Sequence, residues 1–183
     1  MLDKDLSHID KLVKVREIIF LLNNIKVAVE KDIEDNPILK EHGINKARRG
    51  ETIEVPRWIA EELEEEGLVK LLEEGFEVEL FRVLNREKLQ GMYQLSPVKA
   101  DFYLKLRRYL INLRKRKKEA FDRFRIYAQD FIKIRLSKVL SLAISSTNIE
   151  QATSNMTPEE IALYKEVKEI ADLWKKTMMG EEA

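Results

Sequence analysis

A dense basic run is the part of this sequence whose residue types most directly suggest chemistry. Between Lys99 and Lys138 there are 14 bases against four acids. Each Lys or Arg that contacts a phosphate releases counterions, so such a run is typical of nucleic-acid binding. The candidate phosphate contacts lie in a predicted basic helix over residues 105–118, and they are Arg107, Arg108, Arg114, Lys115, Arg116, Lys117 and Lys118.

The pattern of these bases also favours a second interpretation. They fall on several faces of a helix, and few aromatic residues that stack on bases lie between them. An acidic protein surface would also be complementary to this positive charge. Residues 51–79 of this chain carry 11 acids against two bases. A solvated or protein-facing surface is therefore the preferred interpretation, with direct DNA contact as the alternative.

No candidate active site emerges from the remaining residues. The chain has no cysteine, and His8 and His42 have no metal-ligand spacing around them. The glycine-rich phosphate-binding motifs and the G-x-S-x-G motif are absent. The many carboxylates lie in charge runs, where surface roles are the rule. We expect a protein that is not an enzyme and that has no metal site and no cofactor.

Composition indicates a folded, soluble protein. Hydrophobic residues make up 44% and charged residues 36% of the 183 residues, with 33 bases balancing 33 acids. No apolar run is long enough to span a membrane, and the absence of cysteine fits a reducing compartment. We therefore expect a cytoplasmic location.

The first part of the chain predicts strands. Strands are expected at residues 15–22 and 25–29 around a turn at Asn23 and Asn24, because residues 25–29 alternate between apolar and other side chains. A polar loop is expected over residues 35–50.

A short helix and two further strands are expected next. Ile53 and Val55 suit a strand, and a helix starting at Pro56 would place Trp58, Ile59 and Leu63 in the core before Gly67 ends it. Residues 76–80 again alternate, which predicts another strand.

The second part of the chain predicts three helices. The first two are expected at residues 96–118 and 119–144. The third starts at Thr157, which can form a capping box with Glu160. Its apolar stripe includes Trp174, which we expect to pack in the core. The fold class is thus α+β: a small N-terminal β-rich domain at 1–84, followed by a larger α-helical domain at 85–183 that forms the assembly interface.

The helix at 119–144 is apolar on most of its faces. Such a helix must be enclosed, either by a partner chain or by an ordinary core within this chain, and periodicity alone leaves both alternatives open.

Several motifs, in their order along the chain, resemble those of GINS complex subunits. The segment IEVPRWIAEELEEEGLVKL (53–71) is similar to the strand–Pro–Trp–helix segment of the family, and YQLSP (93–97) is followed by Phe102 and Tyr103. In QDFIKIRLSKVL, Asp130, Arg135 and Lys138 have the spacing of the family's D-x4-R-x2-K helix. The acidic run 61–66 departs from the family pattern.

The resemblance implies an archaeal, non-catalytic subunit of the DNA replication machinery. Two such subunits and two copies of a paralogous GINS subunit with reversed domain order would form a heterotetramer that bridges the MCM helicase and a RecJ/Cdc45-like protein. Together with the apolar helix, it suggests a subunit interface, and the candidate interface residues are Phe121, Phe124, Phe131, Arg135, Lys138, Val139 and Leu142.

Overall fold

The computed structural model describes residues 2–34, 36–116, 118–145 and 149–180, with side chains from residue 8 onward except at 115, 116, 118, 149 and 151. In chain order its elements are α1 (Leu2–Leu22), β1 (Asn24–Val29), β2 (Ile33–Glu34), α2 (Pro37–Glu41), β3 (Lys46–Ala47), β4 (Thr52–Pro56), α3 (Arg57–Glu65), β5 (Val69–Leu71), α4 (Phe76–Leu89), α5 (Phe102–Arg116), α6 (Lys118–Ile144), α7 (Ile149–Thr153) and α8 (Pro158–Met179).

The predicted α+β class is confirmed. The chain divides into two compact units: a small unit, Lys14–Glu74, and a helical unit made of Met1–Val13 and Gly75–Ala183. The division into domains at 1–84 and 85–183 stays a prediction.

The small unit is built on a three-stranded antiparallel sheet with the order β4-β1-β5, beside a two-stranded sheet of β2 and β3. The predicted strand at 25–29 is confirmed as β1, where Val27 and Val29 are buried and Lys26 is exposed. Val27 lies opposite Ile53 of β4 and Leu71 of β5, so the apolar side of the central strand faces matching apolar side chains.

The short helix predicted after Pro56 is confirmed as α3. It begins at Arg57, and it buries Ile59 and Leu63 against the sheet as expected. Trp58 was predicted to lie in the core, and this is wrong, because its side chain is 41% exposed. After α3 the chain reverses at Gly67, whose φ of 67° is a left-handed conformation that suits glycine.

The strand predicted at residues 15–22 is wrong, because these residues form the end of α1. Residues 23 and 24 consequently form no hairpin turn, and β1 starts at Asn24 directly after the helix. An apolar run of this length fits either a strand or a helix by periodicity. The predicted polar loop at 35–50 is also partly wrong, since it contains α2 and β3 and buries Leu39 and Ala47.

The strand predicted at residues 76–80 is wrong as well, because α4 extends over Phe76–Leu89. Two-residue alternation is visible only in the first turn of this segment. Over its full length, the buried residues Phe76, Leu80, Val83 and Leu84 follow helical spacing.

Four long helices form most of the helical unit. The helix predicted at 119–144 is confirmed as α6, whereas α5 begins at Phe102 rather than at residue 96. Ring pairs between Tyr103 and Phe131 and between Tyr109 and Phe124 show that α5 runs antiparallel to α6.

The last long helix, α8, runs in the same direction as the second half of α6. Near its start Glu160 contacts Arg135, and further along Lys175 donates to the Ile144 carbonyl oxygen. The capping box of Thr157 and Glu160 is confirmed. Trp174 was predicted to lie in the core, and this is wrong, because its side chain is 63% exposed.

Within the described ranges, no helix combines the length and the hydrophobicity that a membrane span requires.

Candidate functional site

Glu87 of α4 is the first centre of a buried ion network in the helical unit. Its carboxylate accepts from Arg135 Nη1 at 3.1 Å and from Lys138 Nζ at 2.7 Å. It also accepts from the backbone N–H of Ser96 at 2.9 Å. Glu87 and Arg135 have no exposed side-chain surface, so α4 and α6 are joined by charges that water does not reach.

Glu160 of α8 is the second centre. It accepts from Arg135 Nε and from the Tyr103 hydroxyl, both at 2.8 Å. Its other oxygen accepts from Arg135 Nη2 and, at 2.9 Å, from the N–H of Thr157. The guanidinium of Arg135 therefore binds Glu160 through two nitrogens, a geometry that fixes both position and orientation.

The two cations also hold the segment between α4 and α5. Arg135 Nη1 donates to the Ser96 carbonyl oxygen at 2.8 Å, and Lys138 Nζ donates to the carbonyl oxygens of Gln90 at 3.2 Å and Gln94 at 3.1 Å. This segment has no regular secondary structure, so its backbone acceptors depend on these side chains.

The network keeps Glu87 and Arg135 charged and Tyr103 neutral. Burial by itself would raise the pKa of Glu87, but the Lys138 hydrogen bond and the charge of Arg135 outweigh it and hold that pKa below its ordinary value. Burial would lower the pKa of Arg135, and the paired Glu160 raises it instead. Burial and then the charge of Glu160 raise the pKa of Tyr103, which keeps its hydroxyl a donor.

This arrangement offers no evident chemistry. Two cations and two carboxylates balance each other inside the unit, and the neutral hydroxyl of Tyr103 donates to one of those carboxylates. In the part of the chain that the structure describes, no group of three or more His, Cys, Asp or Glu residues could hold a metal ion. The network joins α4, α5, α6 and α8 and fixes their relative positions.

The candidate interface residues lie mostly inside this chain. Phe124, Phe131, Arg135, Lys138, Val139 and Leu142 are all buried within the helical unit, and Phe121 is half-buried. A side chain enclosed by its own chain has no surface to offer a partner, so an interface, which stays a prediction, would be formed by other residues. Asp130 of the D-x4-R-x2-K motif is exposed and separate from the ion network.

The candidate phosphate contacts are distributed around α5. Arg107 and Arg114 are exposed, and Arg108 is half-buried. The side chains of Lys115, Arg116, Lys117 and Lys118 lie outside the described residues. Arg135 and Lys138 add to the positive charge counted for this region, but the buried carboxylates neutralise them.

An apolar groove lies between α5, α6 and α8. It has a volume of about 290 Å³, and its lining residues are Val13, Tyr103, Leu104, Arg107, Ile132, Leu136, Val139, Glu159, Glu160 and Leu163. Ile132 and Leu136 of α6 are each 41% exposed here. Leucine and isoleucine side chains that line a surface groove are typical of protein interfaces.

The second half of α8 carries a further exposed apolar surface, which we call the α8 stripe: Ile170, Leu173, Trp174 and Met178. All four side chains are more than half exposed. Their spacing of three and four residues places them on one side of the helix. Sequence periodicity placed Trp174 in an apolar stripe but assigned it to the core, because periodicity does not reveal which face of a helix has a neighbour.

Residues 62–179 match the family model of the GINS complex protein helical bundle domain. The matched range covers most of the chain and includes the two cations and both carboxylates of the ion network. No curated protein sequence matches the chain.

Proposed function

Because this chain belongs to the family of GINS complex proteins, we propose that it is a non-catalytic subunit whose helical unit binds a paralogous subunit. Membership in that family makes it a component of a multi-subunit DNA replication complex. The finer proposal is a 2:2 heterotetramer of archaeal type with a paralogue of reversed domain order. We further propose that this complex bridges the MCM helicase and a RecJ/Cdc45-like protein.

The observation that carries this proposal is the α8 stripe. An exposed tryptophan surrounded by aliphatic side chains on one helix face is costly to leave in water, since burying each such side chain gains roughly 1.5–3 kcal/mol. Tryptophan is also among the residues that most often dominate the binding energy of protein interfaces. A partner that covers this stripe explains why the helix retains it.

The ion network supports the same proposal from inside the unit. A buried salt bridge contributes little net stability, but it fixes the relative positions of the helices that it joins. Here it holds the first turn of α8 against α6, so the stripe further along α8 is presented on a rigid support. Rigid presentation favours binding because less conformational freedom is lost on association.

The bridging proposal is supported by the division of the chain into two units. The helical unit would serve assembly, while the small unit, with its exposed acidic helix α3, would remain available for a second protein. We expect this chain itself to be cytoplasmic and associated with the chromosome.

The test is co-expression with the paralogous subunit, followed by mass measurement by light scattering. We expect the wild-type pair to give the mass of a heterotetramer. Trp174→Asp should weaken assembly by at least about tenfold, because it places a charge in the buried centre of the interface.

Trp58→Asp is the matched control, since Trp58 is also exposed but lies in the small unit. It should leave the mass unchanged. A folded wild-type chain that stays monomeric with the paralogue would refute the assembly proposal, and equal assembly by both variants would show that the interface is elsewhere.

A further inference from the structure

The groove between α5, α6 and α8 has an apolar end. Leu104 of α5, Ile132 and Leu136 of α6, and Leu163 of α8 converge there. The two α6 side chains retain exposed surface that a neighbouring side chain would cover. A volume of about 290 Å³ is enough to take two or three aliphatic side chains of an incoming segment.

Two exposed arginines lie beyond the groove on the same faces of α5 and α6. Arg114 lies seven residues after Arg107 on α5, and Arg125 lies seven residues before Ile132 on α6, which in both cases is close to two helical turns. Each arginine therefore shares a helix face with a residue that lines the groove. Because α5 and α6 are antiparallel, Arg114 and Arg125 both lie beyond the groove in the same direction.

We propose that this surface binds an acidic amphipathic helix of a partner protein. Its apolar side chains would fill the groove, which Glu159 and Glu160 also line, and its carboxylates would face Arg114 and Arg125 beyond the groove. On α6 the surface extends from Arg125 to Leu136, which is 11 helical rises or about 17 Å, so a helix of about 11 residues or more would cover it. Recognition of this kind uses aliphatic anchors three and four residues apart.

The apolar end favours a protein helix over a nucleic acid. Phosphate contacts need arginines but gain nothing from an aliphatic groove. An amphipathic helix uses both ends of the surface at once. This inference goes beyond the proposed function, because it depends on the geometry of α5, α6 and the start of α8 rather than on the α8 stripe.

The experiment uses the isolated full chain and two fluorescein-labelled helical peptides of about 18 residues. Both carry leucines three and four residues apart, and the other positions are Glu in one peptide and Lys in the other. We expect the Glu peptide to bind about tenfold or more tighter than the Lys peptide, by fluorescence anisotropy, with an affinity that falls as salt rises. Equal affinities, or no binding of either peptide, would overturn the proposal.

Variants locate the binding site. Ile132→Asp should lower the affinity for the Glu peptide about tenfold or more, whereas Ile126→Asp, an exposed change outside the groove on the same helix, should not. Arg125→Glu should lower it about threefold or more, with Lys133→Glu as the matched control. If Ile132→Asp lost its helical circular dichroism, the comparison of Arg125→Glu with Lys133→Glu would still test the binding site. Equal effects of a variant and its control would refute the assignment.

Two further arms separate this proposal from its alternatives. Trp174→Asp should leave peptide binding unchanged while it disrupts assembly, so failure of one proposal does not imply failure of the other. Single- and double-stranded DNA of about 20 nucleotides should bind more weakly than the Glu peptide. If DNA bound more tightly than the Glu peptide, and Ile132→Asp did not change its affinity, the proposal would be wrong. The surface would then bind a nucleic acid rather than a protein helix.

Discussion

Among the side chains that the structure describes, two arginines are buried, one in each compact unit, and their surroundings differ. Arg57 of the small unit lies over the ring of Phe20, 4.2 Å from its centroid, and pairs with Glu73 at 2.7 Å. The Glu73 side chain is 34% exposed, so water shares in the solvation of that pair. Arg135 of the helical unit pairs with Glu87 and Glu160, which are 0% and 6% exposed.

This difference decides what each arginine needs from its partners. Charges that water partly reaches can be resolvated when they lose a partner, so such a pair contributes less than a fully enclosed one. Charges that water does not reach have no substitute for a lost partner. The helical unit should therefore be sensitive to every change in its ion network, whereas the small unit depends on apolar residues such as Val27, Val55 and Ile59.

The largest effect is expected from Glu87→Ala, which leaves Arg135 with one carboxylate and Lys138 with none. The free energy of unfolding should fall by about 3–5 kcal/mol, because uncompensated buried charges remain. Urea unfolding followed by circular dichroism measures this change. Glu169→Ala, an exposed change on α8, should stay within about 0.5 kcal/mol. Similar losses from both variants would contradict the comparison.

Arg135→Lys should have the next largest effect. A lysine keeps the positive charge but cannot bind Glu160 through two nitrogens while it also contacts Glu87, so about 2–3 kcal/mol should be lost. Lys133→Arg on the exposed side of α6 is the control, for which no change is expected. Full stability of Arg135→Lys would mean that charge alone, without geometry, holds the network.

Acid should weaken the helical unit through Glu87. Its pKa is lower in the folded chain than its ordinary value of 4.5, so the stabilisation is complete above that value and is lost as the pH falls below it. Hydrogen exchange of peptides from each unit would locate the loss. Glu87→Gln should flatten this pH dependence in the helical unit, and an unchanged profile would assign the acid sensitivity to other carboxylates.

The smallest effect is expected from Glu73→Ala. Arg57 keeps the ring of Phe20 and gains water in place of the carboxylate, so the loss should be at most about 1 kcal/mol. The same unfolding measurement applies, and raised salt should reduce the difference from wild type. A loss as large as that of Glu87→Ala would remove the distinction between the two arginines.

Local sequence patterns correctly predicted elements that are marked by regular alternation or by interacting residues a few positions apart. The alternation of residues 25–29 predicted β1, and Thr157 with Glu160 predicted the start of α8. Patterns failed where two periods fit equally well. Residues 15–22 and 76–80 contain enough apolar and alternating positions for a strand, and only packing within the folded chain decides for a helix.

The ion network could be predicted only in part. Arg135 and Lys138 were identified through the resemblance to the family's D-x4-R-x2-K helix, but Glu87 was not, because it lies 48 and 51 residues away from them. One signal was present: Glu87 continues the buried positions Leu80, Val83 and Leu84 of α4 at helical spacing. A carboxylate at a core position requires a buried cation, and this argument depends on first assigning α4 as a helix.

Glu160 belongs at once to the capping box that begins α8 and to the ion pair that joins α8 to α6. A slip of α8 by a single residue would therefore remove the cap and the ion pair together. This shared carboxylate therefore fixes the register of α8 against α6. An insertion just after Glu160 would turn every later side chain by about 100° and move Trp174 to another side of the helix.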